Sequence, residues 1–437
     1  MTIQKIRIFT ISLGCPKNRV DTERMLGTFG DKMVPALTPE ESDLVLINTC
    51  GFISPATEES VDSILEAAAM IKDVKPRPVL AVAGCLVSRY GPLSEQIPEV
   101  DLWLSTHELD KWPELATKAL ARDFPVQQTR ALSTGPAFAY LKISEGCSHS
   151  CRFCTIPSIR GPHVSRELAG LVDEAKYILA QDVPEIIIVG QDTTAYGSDL
   201  NEPETNLRTL IEKLLPLDGL EWLRLMYLYP AGLTDNMLSF LSQAGKPLLP
   251  YFDIPVQHAH PDVLSSMGRP FARDPRKVID RVRKHIPHAV LRTSIIVGYP
   301  GETEEHFNTL LDFVKEARFQ HLGVFSYQPE DGTPAGEMKQ LPAQLREERR
   351  LELMEIQSAI SRDILEEKIG ETIQVLIEEP NEEWPGLFNG RVWFQAPEVD
   401  GITYISAPEG ESELKPGMLI EAEIDNVTDY DLVTLVK

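Results

Sequence analysis

The sequence predicts a multidomain α/β protein in three parts: an N-terminal open parallel α/β sheet, a central partial (β/α)6 barrel, and a small all-β barrel at the C-terminus. Three observations predict it. Strand and helix signals alternate twice along the chain, which is the pattern of parallel sheets joined by right-handed crossovers. The last 68 residues change to period-2 alternation punctuated by Gly and Pro. Charge separates the same tail: the 437-residue chain carries a formal −24, and Gly370–Lys437 holds 15 acids against 3 bases.

The first part, residues 1–122, has short apolar strands at Ile6–Leu13, Leu44–Asn48 and Val79–Ala83. Helical stretches Val20–Thr28 and Thr57–Ile71 lie between them, the second opened by Ser54 as cap and Pro55 in its first turn. Residues 123–138 contain Pro125, Ser133, Thr134, Gly135 and Pro136 and read as a linker. The second α/β run, 139–340, offers six strands: Tyr140–Ser144, Glu185–Val189, Glu221–Tyr227, Phe252–Pro255, Leu291–Val297 and Gly323–Tyr327. Helices Arg166–Gln181, Leu207–Leu214 and Glu304–Ala317 fall between them, the last with Thr303, Glu304 and Glu305 as opening residues. Six strand signals predict a parallel barrel smaller than the eight-stranded kind. Residues 341–369 read as a charged connecting helix whose apolar stripe is Leu345, Leu351, Leu353, Met354, Ile356, Ile360 and Ile364. Residues 370–437 form the all-β module, with Trp384, Phe388, Trp393 and Phe394 as its core or as an interaction face.

Composition excludes whole classes. At 43% hydrophobic and 25% charged, the chain is neither collagen-like, coiled-coil nor disordered. Its longest apolar runs, such as Ile186–Val189, are strand-sized and cannot cross a bilayer. The opening residues have no signal-peptide apolar region, and six cysteines are too sparse for a disulfide scaffold. A cytoplasmic protein is expected, in which clustered cysteines bind metal or do chemistry. The acidic balance disfavours bulk nucleic-acid phosphate as a partner.

The six cysteines form two sets of three. Each of the first three strands ends at one: SLG-Cys15, INT-Cys50 and VAG-Cys85, with Gly14, Gly51 and Gly84 beside them. Residues past the ends of adjacent parallel strands converge at the carboxyl edge, with strands about 5 Å apart. The thiols are therefore placed to meet at one point; the alternative is three small buried hydrophobes. The second set is Cys147-Ser-His-Ser-Cys151-Arg-Phe-Cys154. The spacing would share a helix face, but Gly146, Pro157 and Gly161-Pro162 argue for a loop. Zinc with His149 as fourth ligand is possible. Three thiolates without an obvious fourth favour an iron–sulfur cluster with one iron left open.

That C-x3-C-x2-C, just after the first strand of a six-strand barrel, resembles the radical S-adenosylmethionine (SAM) superfamily. GCPKN at Cys15, NTCGFI at Cys50, GCL at Cys85 and YLKISEGCSHSCRFCTIPSIRG around Cys147 resemble, within it, the methylthiotransferases. The resemblance covers essentially the whole chain. It implies an N-terminal cluster domain, a radical SAM core and a C-terminal TRAM module. It implies two 4Fe–4S clusters: an auxiliary one on Cys15, Cys50 and Cys85, and the radical SAM cluster on Cys147, Cys151 and Cys154. It implies SAM at the strand ends near Gly190, Gln191 and Gly298, which otherwise read as ordinary strand–turn residues. Lys142 and Arg160 flank the cluster loop and either raise the potential of an anionic cluster and help position the SAM carboxylate, or are solvated or ion-paired side chains. Tyr227, Tyr229, His258 and His260 either line the active-site mouth or pack under loops.

Two branches of the family differ in their motifs. The transfer-RNA branch reads GCQMN and NTC-x-VR at the first two cysteines. This chain reads Gly14-Cys15-Pro16-Lys17-Asn18, Cys50-Gly51-Phe52-Ile53 and Gln191-Asp192-Thr193-Thr194-Ala195-Tyr196. These resemble the branch that methylthiolates the β-carbon of an aspartate in small-subunit ribosomal protein twelve, free or in the ribosome. Two SAM, a sulfur donor, and flavodoxin or ferredoxin as electron donor are implied. Transfer-RNA adenosine is the disfavoured substrate, and an iron–sulfur scaffold or electron carrier using the same ligands is the non-enzymatic alternative.

Overall fold

The Val-, Ile- and Leu-rich runs of the first third form five parallel strands, in the order Met33–Pro35, Ile6–Ser12, Leu44–Thr49, Val79–Gly84, Leu102–Ser105. Leu44–Thr49 is central and buried along its whole length. Side chains alternate across the pleat. Leu44 and Leu46 face Ile6, Ile8, Met25, Phe29 and Trp112, while Val45 and Ile47 face Ile64, Ala68, Ile71 and Leu86. Each fully buried Leu or Ile contributes about 1.5–3 kcal/mol. Helix Ser54–Ile71 covers one face of the sheet; Pro16–Gly27 and Trp112–Leu120 cover the other. The cap of Ser54–Ile71 is Ile53, with Ser54 already inside the helix. Both edge strands escape sequence reading because three and four residues carry too little periodicity.

The computed structural model describes residues 5–122, 124–127, 129–269, 274–407 and 414–436. It divides into two compact units: Met1–Ser133 with Glu145–His149 and Cys154–Val164, and Thr134–Ser144 with Ser150–Phe153 and Ser165–Lys437. The stretch read as a linker is fastened to the first unit over much of its length. Phe124 enters the core with its ring 4.8 Å from that of Phe29. Arg130 donates to the buried Glu23 carboxylate at 2.6 Å, and Ser133 donates to it through both N–H and hydroxyl. Turn-forming residues concealed these anchors.

In the second unit six parallel strands pair in chain order: Phe138–Lys142, Glu185–Val189, Trp222–Leu225, Leu248–Asp253, Val290–Val297 and His321–Ser326. No ladder joins the first to the last among the described residues, so the barrel is partial. Helices Asp235–Ala244 and Arg276–His285 complete crossovers that sequence reading left open. Helix Glu304–Ala317 is closed by a capping box of Thr303 and His306 rather than by its glutamates. The connecting helix Ala343–Glu366 buries Arg349, Leu353, Gln357, Ile360, Ser361 and Leu365, while Leu351 stays exposed. Its inner face is partly polar because those groups are bonded: Gln357 donates to the Phe319 carbonyl at 2.8 Å and Ser361 to that of Gln320 at 3.0 Å.

The tail is a closed barrel of five strands, Thr372–Pro380, Leu387–Val392, Thr403–Ser406, Leu432–Val436 and Leu419–Val427. Phe394 is buried and Trp384 is exposed. This module is joined to the larger barrel by buried charges. Glu185 accepts from Arg224 and Arg391, each at 2.7 Å, and Asp400 accepts from Tyr251 at 2.6 Å and from Arg292 at 3.2 Å. Burial would raise the Glu185 carboxyl, but Arg224 and Arg391 outweigh it and hold it below its ordinary range. No helix among the described residues is long and apolar enough to cross a membrane.

Candidate functional site

Strand register dictates where the first three cysteines lie. Ser12 pairs with Asn48, and Thr49 with Gly84, so Cys15, Cys50 and Cys85 all follow the same carboxyl edge. Cys15 caps helix Pro16–Gly27, and Cys85 begins helix Cys85–Tyr90. The glycines let the three turns touch. A Cβ on Gly14, whose φ is +90°, would stand 2.9 Å from Cys50 Cβ and 3.0 Å from its sulfur. One on Gly51 would stand 2.9 Å from the Leu86 backbone, and one on Gly84 2.2 Å from Asn48 Oδ1.

Asn18 ties these turns together. Its Nδ2 donates to the carbonyls of Leu13 (3.0 Å) and Thr49 (2.8 Å), and its own carbonyl accepts from Asn48 Nδ2 at 2.8 Å. Its Oδ1 accepts from the Cys85 thiol at 3.5 Å and from Arg160 Nη2. Arg160 also donates to Cys85 Sγ at 3.4 Å. The expectation set Arg160 beside the C-x3-C-x2-C loop; its guanidinium in fact points at the other cysteine set.

The thiols differ electrostatically. Burial would raise Cys15, but Lys17, Arg160 and the N–H groups of Asn18 and Lys17 outweigh it and bring it below the ordinary thiol range. Burial raises Cys50, and pushes Cys85 up to about 11 against the pull of Arg160. Among the described residues, the ligand atoms of His260, Asp262 and His306 form the one such group of three all within 4.8 Å of one another. A tetrahedral zinc, with bonds of about 2.3 Å, would draw its sulfurs to about 3.8 Å. The sulfurs of Cys15, Cys50 and Cys85 are not all within 4.8 Å of one another, and the all-sulfur donor set fits an iron–sulfur cluster.

The second set follows strand Phe138–Lys142. In the first unit, Cys147 N–H donates to the Gly161 carbonyl at 3.1 Å, and a Cβ on Gly146 would meet the Pro162 carbonyl at 2.1 Å. In the second unit, the buried Arg269 donates to Cys151 Sγ at 3.8 Å and to the Pro255 carbonyl at 2.8 Å, and stacks 4.7 Å from the Tyr229 ring centroid. Arg269 carried no signal in the sequence. Nor did Gln257, which with Tyr227 holds a positive φ just beyond a strand end, where strain collects at functional edges.

Gly190 follows Glu185–Val189, and a Cβ there would stand 2.8 Å from Ser144 Oγ. Ser144 is fully buried, and its hydroxyl has no partner among the described residues. A buried, unsatisfied hydroxyl against bare backbone at a strand's carboxyl end suits a polar ligand such as the methionine part of SAM. Gln191 is next to it and half-buried. Lys142 is buried at the end of its strand. Gly298 has a φ of +71°, Arg346 Cγ would lie 2.3 Å from its Cβ, and its N–H donates to Glu302 at 2.9 Å. Glu302 in turn accepts from Arg349 at 2.6 Å and faces His258 at 3.3 Å, so His258 packs within the unit. The His260 ring lies 4.1 Å from that of His306.

Comparison with known proteins places each part of the chain in a family. Residues 141–314 match the radical SAM superfamily, 7–105 match the uncharacterized protein family UPF0004, and 369–436 match the TRAM domain. The chain is 56% identical to the ribosomal protein uS12 methylthiotransferase RimO of Oleidesulfovibrio alaskensis, over 98% of this chain and 100% of that one. It is 44% identical to the protein of the same name from Aquifex aeolicus, over 98% and 96%. The fold is similar to that of the radical SAM methyltransferase TsrM from Kitasatospora setae with cobalamin and a [4Fe-4S] cluster bound: TM-score 0.56, 15% identity, 76% of this chain and 77% of that one. Identity of this extent, end to end, shows that the chain belongs to the RimO family of radical SAM methylthiotransferases.

Proposed function

We propose that this protein transfers a methylthio group to the β-carbon of an aspartate of ribosomal protein uS12, free or in the ribosome. The observation that carries the reading is the pair of cysteine sets on a chain that matches RimO proteins along its length. Cys147, Cys151 and Cys154 are assigned to the radical SAM 4Fe–4S cluster, and Cys15, Cys50 and Cys85 to the auxiliary one. When bound, the clusters and SAM supply the one-electron chemistry and the sulfur that no side chain can supply.

The protein's part is to bind, orient and tune. Cys15 enters ligation from a lowered pKa, whereas Cys50 and Cys85 must give up protons held by burial. Arg269 holds Cys151 by a charge-assisted hydrogen bond. Ser144, Gly190 and Gln191 are the proposed polar edge for the methionine moiety, with Gly298 near the adenine. The C-terminal module, with its excess of acids, suits a basic ribosomal protein rather than a phosphate backbone. Flavodoxin or ferredoxin in the cytoplasm is the proposed electron source.

The test is anaerobic reconstitution with iron, sulfide, SAM and a low-potential reductant. uS12 and transfer RNA are offered in parallel, and deoxyadenosine and substrate mass are followed. A methylthio group on uS12 alone supports the reading; one on transfer RNA alone overturns the substrate.

A further inference from the structure

Arg160 lies six residues past Cys154, in the segment that follows the radical SAM motif, yet the one cysteine its guanidinium bonds, Cys85, belongs to the other set. Its side chain is 1% exposed. Nη1 donates to Asp21 at 3.2 Å and to Glu145 at 2.7 Å, while Nη2 donates to Asn18 Oδ1 and to Cys85 Sγ at 3.4 Å. Four partners on two nitrogens require a planar fork; an ammonium is a point donor and cannot span them. The segment is held in the first unit by independent bonds. Thr155 Oγ1 donates to the Phe52 carbonyl at 3.0 Å, and Thr106 Oγ1 to that of Ile159 at 3.2 Å. The neighbouring carbonyl, Gly161, accepts from Cys147. Adjacent residues thus touch one cysteine of each set.

The geometry points to Arg160 as a positioning residue that completes the auxiliary site from outside the N-terminal sheet, fixing Cys85 and Asn18 and placing one cation against the cluster's sulfur ligand. The inference rests on the proposed assignment of Cys15, Cys50 and Cys85 as ligands. Groups that orient a ligand without touching the metal commonly change metal retention by about 10–100-fold when removed. Loss of the cation should also make an anionic cluster harder to reduce, since Asp21 and Glu145 would then stand unopposed beside it.

The experiment uses the full chain with Cys147, Cys151 and Cys154 replaced by Ala, so that only the auxiliary set can hold iron. Into it go Arg160→Met and Arg160→Lys. Iron release to a chelator and the cluster's midpoint potential are measured, with circular dichroism as the check on folding. Arg160→Met should release iron about 10-fold faster or more, with a more negative potential. Arg160→Lys should also release iron faster but keep a potential near that of the parent. Arg160→Met in a Cys15/Cys50/Cys85→Ala chain should leave the remaining cluster's electron paramagnetic resonance spectrum unchanged. If Arg160→Met releases iron at the parent rate, or disturbs both backgrounds equally, the inference is wrong. If the first background binds no iron at all, the ligand assignment falls, and the inference with it.

Discussion

Replacing Gly14 by Ala should cost the auxiliary cluster while leaving the radical SAM cluster in place. Two terms act there. Gly14 has φ +90°, outside the region an L-residue favours, which costs about 1–2 kcal/mol. The new Cβ would also stand 2.9 Å from Cys50 Cβ and 3.0 Å from Cys50 Sγ. Cys50 is buried and short, with its N–H and carbonyl both bonded to Ser60, so it has no flexible end to swing aside. Overpacking of this kind costs about 1–3 kcal/mol. Gly91→Ala separates the terms, because Gly91 has φ +75° and nothing within 4 Å of its Cβ position. Urea unfolding should place Gly14→Ala about 1–3 kcal/mol below Gly91→Ala. Iron analysis after reconstitution should show Gly14→Ala short by one cluster and Gly91→Ala full. Equal iron in both variants would refute the claim that the turns around Gly14, Cys50 and Cys85 form one close-packed ligand site.

Three further outcomes follow from the same geometry. Ala at Cys147, Cys151 and Cys154 should abolish deoxyadenosine formation, whereas Ala at Cys15, Cys50 and Cys85 should leave SAM cleavage measurable and stop methylthio transfer; chromatography of the reaction products distinguishes them. Glu185→Gln should destabilise the second unit by about 3–5 kcal/mol, since it leaves the buried Arg224 and Arg391 short of a charge partner. Because the folded Glu185 carboxyl is depressed, its contribution is full above an unfolded pKa of about 4.3 and is lost as pH falls below it; acid unfolding of the wild type should therefore be steeper than that of the variant. Binding of the full chain to uS12 should weaken as salt rises, and binding to transfer RNA should be weaker at every salt concentration.

The strand-end cysteines were legible in the sequence because short Val-, Ile- and Leu-rich runs show where a strand stops, and Cys15, Cys50 and Cys85 sit at those stops. The six barrel strands were legible for the same reason, although Leu248–Asp253 begins four residues before its expected start, where Pro250 breaks the apolar run. What escaped depends on tertiary contact. Asn18 and Asn48 look like ordinary polar residues until the strands pair and the two amides lie across the ligand turns. Arg160 read as a neighbour of the cysteines beside it in sequence, but its guanidinium bonds Asn18 and Cys85. Arg269 is far from Cys151 in sequence and has no motif of its own.

The central claim is that this chain modifies uS12 and not transfer RNA. The most direct measurement is mass spectrometry of uS12 and of bulk transfer RNA from cells with and without the gene for this chain. Deletion should leave uS12 lighter by one methylthio group on a single aspartate, leave transfer-RNA nucleosides unchanged, and be reversed by the wild-type chain but not by one lacking Cys15, Cys50 and Cys85. A fully modified uS12 in the deleted cells, or loss of a methylthio nucleoside from their transfer RNA, would contradict it.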